Sequence, residues 1–475
     1  MNITVGKQEK VDVVIHILFT DGYQVESLSD WKLSERMGKE GQVRWIYGRQ
    51  DEPDHLLLGL GKKADFTLDR LRAAAGTAGR AVREEQLQHV GVSFASLENG
   101  IGESLEELVT AWVEGWKLGT YTFTKFQSKE AGPQITSMNL QCQEKDSLQA
   151  AIQRGLDRAE GTMFARDLCN EPSNHLRPTM LVERIRDQFA KRKVNLKVYT
   201  GEELEKHQMN GLLTVGKGSN VPPAMIELSY CTDPKKPLIV LIGKGITFDT
   251  GGINLKLSRD ISDMRFDLGG AAAVIGAMDI LTRMEAEANV TALIPTAENM
   301  PDGGAMRPGD IIEYPNGVTV QVGNTDAEGR LILADALIHA QTLGAKEVID
   351  AATLTGAIVR ALGLRLAGVW GDESMVNTLK ELGEKNGEKL WPMPLVEEYE
   401  ELIKSDYADI SNLGKADYAG AITAALFLRH FVNDYKWAHI DLAAPVESNQ
   451  TKGYLVKGAT GYGARLLADY VLSRV

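Results

Sequence analysis

Apolar residues recur along the chain in two periods. Runs such as VDVVIHILF (11–19) and HLLLGLG (55–61) are short and nearly continuous, which predicts strands, whereas LDRLRAAAGTAGRAVREEQ (68–86) repeats its apolar positions every three or four residues, as a helix does. The first third of the chain therefore reads as a small α/β unit. A polar stretch, FQSKEAGPQITSMN (126–139), broken by Gly132 and Pro133, gives the best boundary. After it DSLQAAIQRGLDRAEGTMFARDL (146–168) reads as a long amphipathic helix that can bridge two domains and ends near NEPSN. From about residue 194 strand signals precede helix signals: LIVLIGKG leads toward GGAAAVIGAMDILTRM, and VTVQVGN into RLILADALIHAQTL. This alternation predicts a mostly parallel central sheet flanked by helices, with its ligand crevice outside the carboxyl ends of the strands. The expected architecture is α/β with two domains: a smaller N-terminal α/β domain over residues 1–140, a linker with a bridging helix over 141–165, and a larger C-terminal α/β domain over 166–475.

Composition narrows the function. A chain of 475 residues exceeds one ordinary core, which agrees with more than one domain. A formal charge of −13 repels a phosphate backbone and argues against general nucleic-acid binding. Cys142, Cys169 and Cys231 lie too far apart for a metal pair or a disulfide framework and read as reduced thiols. The N-terminal run VVIHILF is too short for a signal peptide, and no stretch reaches the roughly 20 apolar residues that span a bilayer. A cytoplasmic enzyme without a membrane partner is the expectation.

The candidate chemistry starts at NTDAEGR (324–330), which sets Asp326 and Glu328 one residue apart and Arg330 two positions later. In extended chain residues i and i+2 face the same way, so both carboxylates could enter a crevice after VTVQVGN. Equally, Thr325 and Glu328 fit a Ser/Thr-x-x-Glu capping box. A second segment, GKGITFDTGGINLK (243–256), carries Lys244, Asp249 and Lys256 in a glycine-rich loop after an apolar strand. A third, FDLGGAAAV, carries Asp267, which reads either as a site residue or as the N-cap of the next helix. Four carboxylates in one crevice repel one another unless cations sit among them. A pair of divalent ions, Mg²⁺, Mn²⁺ or Zn²⁺, would resolve that conflict and could hold a nucleophilic water. No histidine stands in HExxH spacing or in these segments, so any metal site here is rich in oxygen ligands.

With these residues assembled, the sequence resembles the leucyl aminopeptidases, the cytosol aminopeptidase family of dinuclear metallopeptidases. NTDAEGRLILADAL, GKGITFDTGGINLK, MRFDLGGAA, ATLTGA, WPMPL, GAITAALFL and GATGYGARLL carry the resemblance over roughly residues 165–475. It implies a C-terminal catalytic domain in which Lys244, Asp249, Asp267 and Glu328 hold one metal and Asp249, Asp326 and Glu328 the other, with the main-chain carbonyl of Asp326 as a further ligand. It assigns Lys256 to polarising the scissile carbonyl and Arg330 to holding a bicarbonate that serves as general base. Asp267 would also receive the free α-amine of a short peptide. Leu354 and Gly356 would line the cleft, and Met264, Thr353, Gly356 and Ala443 resemble the walls of a pocket suited to leucine or another apolar residue. DLAAPVE departs from the family's usual Ala-Gly near Ala443 and Ala444. The resemblance further implies a homohexamer.

Two rival classes are weighed against it. GLLTVGKG (211–218) nearly makes a P-loop, but Gly218 replaces the Ser or Thr that would meet Mg²⁺, and GLGKKA (59–64) is an incomplete dinucleotide fingerprint. A non-catalytic binding protein on a peptidase-like fold would be favoured by loss of a ligand position, yet all are occupied by suitable residues.

Overall fold

A computed structural model describes residues 1–6, 10–49, 52–98, 101–128, 135–143, 145–257 and 260–474. The expected boundary at Gly132 and Pro133 lies outside them. The chain divides into two units, Met1–Ala159 with Ser448–Lys457, and Glu160–Glu447 with Gly458–Val475. The helix read as bridging runs Ser147–Asn170, and the change of unit falls within it.

In the first unit the described residues form a six-stranded sheet from β1 (Asn2–Val5), β2 (Val13–Leu18), β3 (Val43–Ile46), β4 (Asp54–Gly59), β5 (His89–Ser93) and β6 (Ser137–Gln141), in the order β1-β6-β5-β2-β4-β3. The end of the polar stretch read as a boundary is thus the strand β6. Only β3 runs antiparallel to its neighbour. Ile15, Ile17, Leu56 and Leu58 pack with Trp112 and Trp116 in a closed core. The helices that supply it start at strong caps: Thr67 accepts from Arg70 N–H at 3.2 Å, and Ser104 and Glu107 form a reciprocal capping box.

The second unit is built on β7 (Asn195–Tyr199), β8 (Ala224–Cys231), β9 (Ile239–Gly243), β10 (Gly245–Asp249), β11 (Asn289–Asn299), β12 (Ile311–Glu313), β13 (Thr319–Gln321), β14 (Glu347–Ala352), β15 (Ala367–Gly371), β16 (Leu390–Pro392), β17 (Ile410–Ser411) and β18 (Lys436–Asp441). Nine of these form one sheet, ordered β16-β15-β18-β14-β9-β11-β8-β7 with β10 beside β11. Its centre, β18-β14-β9-β11-β10, is parallel as expected, and antiparallel pairs lie toward the edges. The helix Gly269–Arg283 lies so close to this sheet that a Cβ on Gly270 would stand 1.9 Å from the carbonyl oxygen of Ala351. Only glycine allows that approach.

One element departs from the sequence reading. VTVQVGN contributes β13, which leaves the central sheet and joins a separate three-stranded sheet, antiparallel to β12 and parallel to β17. Apolar periodicity identifies a strand but not the sheet that will receive it. Among the described residues no helix is long and apolar enough to cross a membrane.

Candidate active site

The parallel strands deliver the candidate residues to one end of the sheet. Lys244 sits between β9 and β10, Asp249 closes β10, and Thr353 follows β14 directly. Asp267 is not the cap of the following helix: it lies in the 3₁₀ turn Met264–Leu268, and the N-cap position belongs to Leu268 without a side-chain cap. The capping box at Thr325 and Glu328 is also not formed. Thr325 instead donates to Gly251 O at 2.6 Å and accepts from Asn254 N–H at 2.8 Å, while Glu328 makes no capping bond. Nor do Asp326 and Glu328 converge through extended chain. Asp326 occupies a turn and Glu328 already has helical dihedrals, so the turn itself brings them together.

Carboxylate oxygens of Asp249, Asp326 and Glu328 lie within 4.8 Å of one another. Two lysines stand among them. Lys256 pairs with Asp249 Oδ2 at 2.6 Å and donates to Asp326 Oδ1. Lys244 donates to Asp267 Oδ1 at 2.8 Å and to Thr353 O at 2.9 Å, which ties Asp267 to the cluster. Its Nζ is also 2.9 Å from Glu328 Oε1, without the alignment of a hydrogen bond. Thr353 Oγ1 donates to Asp267 Oδ1 at 2.8 Å. Arg330, in the first turn of the helix Gly329–Thr342, is buried with its guanidinium 6.0 Å from the Phe427 ring centroid and its Nε without a hydrogen-bond partner.

Burial opposes charge on all of these groups, and their neighbours decide the outcome. For both lysines burial works downward, but Asp267, Glu328 and Asp249 around Lys244, and Asp249 and Glu328 around Lys256, outweigh it and raise both ammonium pKa values. Burial and the nearby Asp249 raise Glu328 against the pull of Lys244, and burial raises Asp267. Burial pulls Arg330 down to about 10 against Glu328 and Asp441.

The donor set fits divalent metal ions. Asp267 Oδ2 is buried without a hydrogen-bond partner and Glu328 Oε1 has only the poorly aligned ion pair with Lys244, an arrangement that a metal cation would satisfy. Lys244 and Lys256 meanwhile place positive charge between the carboxylates. For Lys244 to act as a ligand it must shed its proton, and two adjacent dications favour that strongly.

Other expected residues fall nearby. Met264 shares the 3₁₀ turn with Asp267, and Gly356 opens the helix Gly356–Leu362 with no atom within 4 Å of an added Cβ. Ala443 packs against the small apolar cluster of Ile358, Trp370, Ala421 and Ala425. The P-loop reading finds no support, because residues 211–216 of GLLTVGKG lie in the helix Asn210–Gly216 rather than in a loop between strand and helix.

Several positioning residues were not foreseen. Asn412 is fully buried and holds the 323–327 loop from four sides: it accepts from Gly323 and Asn324 N–H and donates to Asn324 O and Ala327 O, at 2.7 to 3.1 Å. Asn299 donates to Asp249 Oδ1 at 2.8 Å and to Thr325 O at 3.0 Å. Asp441 ends β18 and accepts from Leu354 N–H, Ala443 N–H and the Thr355 hydroxyl at 3.1, 3.2 and 2.7 Å. An acidic residue closing the apolar run WAHIDLAA was the available signal for Asp441. The Leu354 and Ala443 N–H groups can only donate, so Asp441→Ala leaves two main-chain donors and the Thr355 hydroxyl without their acceptor. The expected result is a loss of about 1–3 kcal/mol of stability with a fall in kcat/KM, read by thermal melting and steady-state kinetics. Unchanged values in both would remove Asp441 from this role.

A parallel-centred α/β unit that gathers buried carboxylates around its strand ends fits a metal-binding centre. Comparison gives the family. The profile of the cytosol aminopeptidase family, catalytic domain, matches residues 163–468, and that of the family's N-terminal domain matches residues 26–130. A probable cytosol aminopeptidase of Geobacter sp. (strain M21) is 42% identical over 446 residues, 92% of this chain and 89% of the relative. One from Alkaliphilus oremlandii (strain OhILAs) is 39% identical over 445 residues, with 92% and 89% covered. Two structures of the bottromycin maturation enzyme BotP, the second in complex with Mn, are similar with TM-scores of 0.88 and 0.89 at 34% and 33% identity, covering 98% of this chain and 99% of theirs. The chain belongs to the cytosol aminopeptidase family, and is a metal-dependent exopeptidase acting on peptides.

Proposed function

We propose that this aminopeptidase releases leucine and other apolar residues from the free N-terminus of short peptides. The observation that carries the reading is the convergence of Asp249, Asp326 and Glu328 beside Lys244, Lys256 and Asp267 in a chain of this family. Lys244, Asp249, Asp267 and Glu328 would hold one divalent ion, and Asp249, Asp326, Glu328 and the Asp326 carbonyl the other. Manganese is supported by the Mn complex of BotP, and zinc suits the same oxygen and amine donors. When bound, the ions supply Lewis acidity and a water of lowered pKa as nucleophile.

The remaining roles fall to the chain's own side chains. Lys256 keeps its charge and offers an ammonium to the oxygen of the scissile carbonyl, where negative charge develops. Arg330 presents unpaired N–H to a planar anion, and a bicarbonate held there would supply a general base. Asp267, kept at the edge of the cluster by Lys244 and Thr353, accepts the substrate's α-ammonium. Met264, Thr353, Leu354, Gly356 and Ala443 would enclose the first side chain. A homohexamer and a cytoplasmic place of action are supported by the family resemblance.

The test is release of leucine from leucyl anilide. Chelation should abolish turnover and Mn²⁺ or Zn²⁺ restore it, while the N-acetylated substrate should be cleaved at most at about 1% of the rate, because the charge pair with Asp267 is lost. Equal rates on free and blocked amines would overturn the proposed substrate orientation.

A further inference from the structure

The first unit contains a crevice that the peptidase chemistry does not use. Its cavity has a volume of about 740 Å³ and is lined along β2 by Val14, His16 and Ile17, of which only Ile17 also belongs to the helix-side core. Strand order explains its place. From β2 the chain builds β3 and β4 on one side, then crosses through the helix Leu68–Glu84 to β5 and β6 on the other. The order therefore reverses between β2 and β5, and α/β sheets bind ligands at the carboxyl ends flanking such a reversal. His16 of β2 pairs in register with Ser93, the last residue of β5, and Gln141 ends β6.

The lining is polar where a plain core would be apolar. His16 Nε2 and His55 Nδ1 are 3.0 Å apart, so one ring donates to the other. Burial, and then the neighbouring His55, pulls His16 down to about 4, and burial lowers His55 as well. Both rings are neutral near pH 7, and their mutual bond uses one nitrogen of each. Ser96 Oγ and Gln141 Nε2 are buried without a hydrogen-bond partner. Both are donors that an ordered water or a bound ligand would satisfy. Lys63, whose Nζ lies 5.7 Å from the Phe19 ring centroid, brings positive charge to the same cavity.

We propose that this crevice binds a small organic phosphate monoester. Lys63 supplies the charge, and Ser93, Ser96 and Gln141 supply donors to the phosphoryl oxygens. These donors outnumber the two oxygens of a carboxylate, and the cavity is far larger than an inorganic anion, so it also takes the attached group, whose polar atoms meet the His16–His55 pair. The inference is independent of the peptidase reading.

Calorimetric titration of the whole protein with glucose 6-phosphate, AMP, phosphoserine, inorganic phosphate and glucose tests it. At least one ester should bind with millimolar affinity or better, inorganic phosphate more weakly, and glucose not at all. Lys63→Met and Gln141→Leu should each weaken the ester by about tenfold or more, the cost of losing a hydrogen bond to a charged group. Ser96→Ala, which deletes one oxygen, provides the second reading if Lys63→Met fails to fold. Absence of binding by all three esters at about 10 mM, equal affinity in the variants, or equal binding of glucose would overturn the proposal.

Discussion

Replacing Lys256 by alanine should lower kcat on a leucyl anilide by about 10²–10³-fold, the usual loss when one preorganised donor to a developing oxyanion is removed. Bound metal should remain near the parent level. The two effects separate because Lys256 pairs with Asp249 and Asp326 and donates to both, so its loss leaves the carboxylates more negative and no weaker as ligands. Its ammonium is also held charged by Asp249 and Glu328, which makes it a fixed positive pole rather than a proton carrier at neutral pH. Steady-state kinetics with elemental analysis of the same sample reads both quantities. Metal lost in proportion to activity would make Lys256 a structural counter-ion instead.

Glu328→Gln should give the opposite pattern. The carboxylate is 1% exposed, contributes to the three-carboxylate group and leaves Oε1 without a hydrogen-bond partner. Exchange for an amide removes its charge from both proposed ion positions while keeping its size. Metal affinity should therefore fall by more than the roughly 10–100-fold typical of residues that only support a ligand. Activity should follow, with partial recovery at high Mn²⁺. Equilibrium dialysis against Mn²⁺ with parallel activity measurements decides it, and full stoichiometry in an inactive variant would rule out ligation by Glu328.

The candidate side chains were readable in the sequence because each sits beside a strand exit or a glycine-rich turn, where local pattern shows which residues the fold can gather. Asp249 closes an apolar strand, and Gly251 and Gly252, with φ of 90° and 67°, make the turn after it. Local rules failed where distant partners intervened. Thr325 has the spacing of a cap, but its hydroxyl is engaged by Gly251 and Asn254, more than 70 residues away. Asn412 reaches Gly323 and Asn324 across 89 and 88 residues, a separation that carries no periodicity. The strand at Thr319–Gln321 was identifiable, but its sheet was not, since β12 and β17 complete it from elsewhere in the chain.

The lysines embedded among the acidic side chains bear on how the enzyme matures. Two ammonium groups offset half the charge of the four carboxylates, so the cluster leans less on an ion for its folding than small domains whose structure collapses on chelation. Loading of the ions can then follow folding rather than drive it.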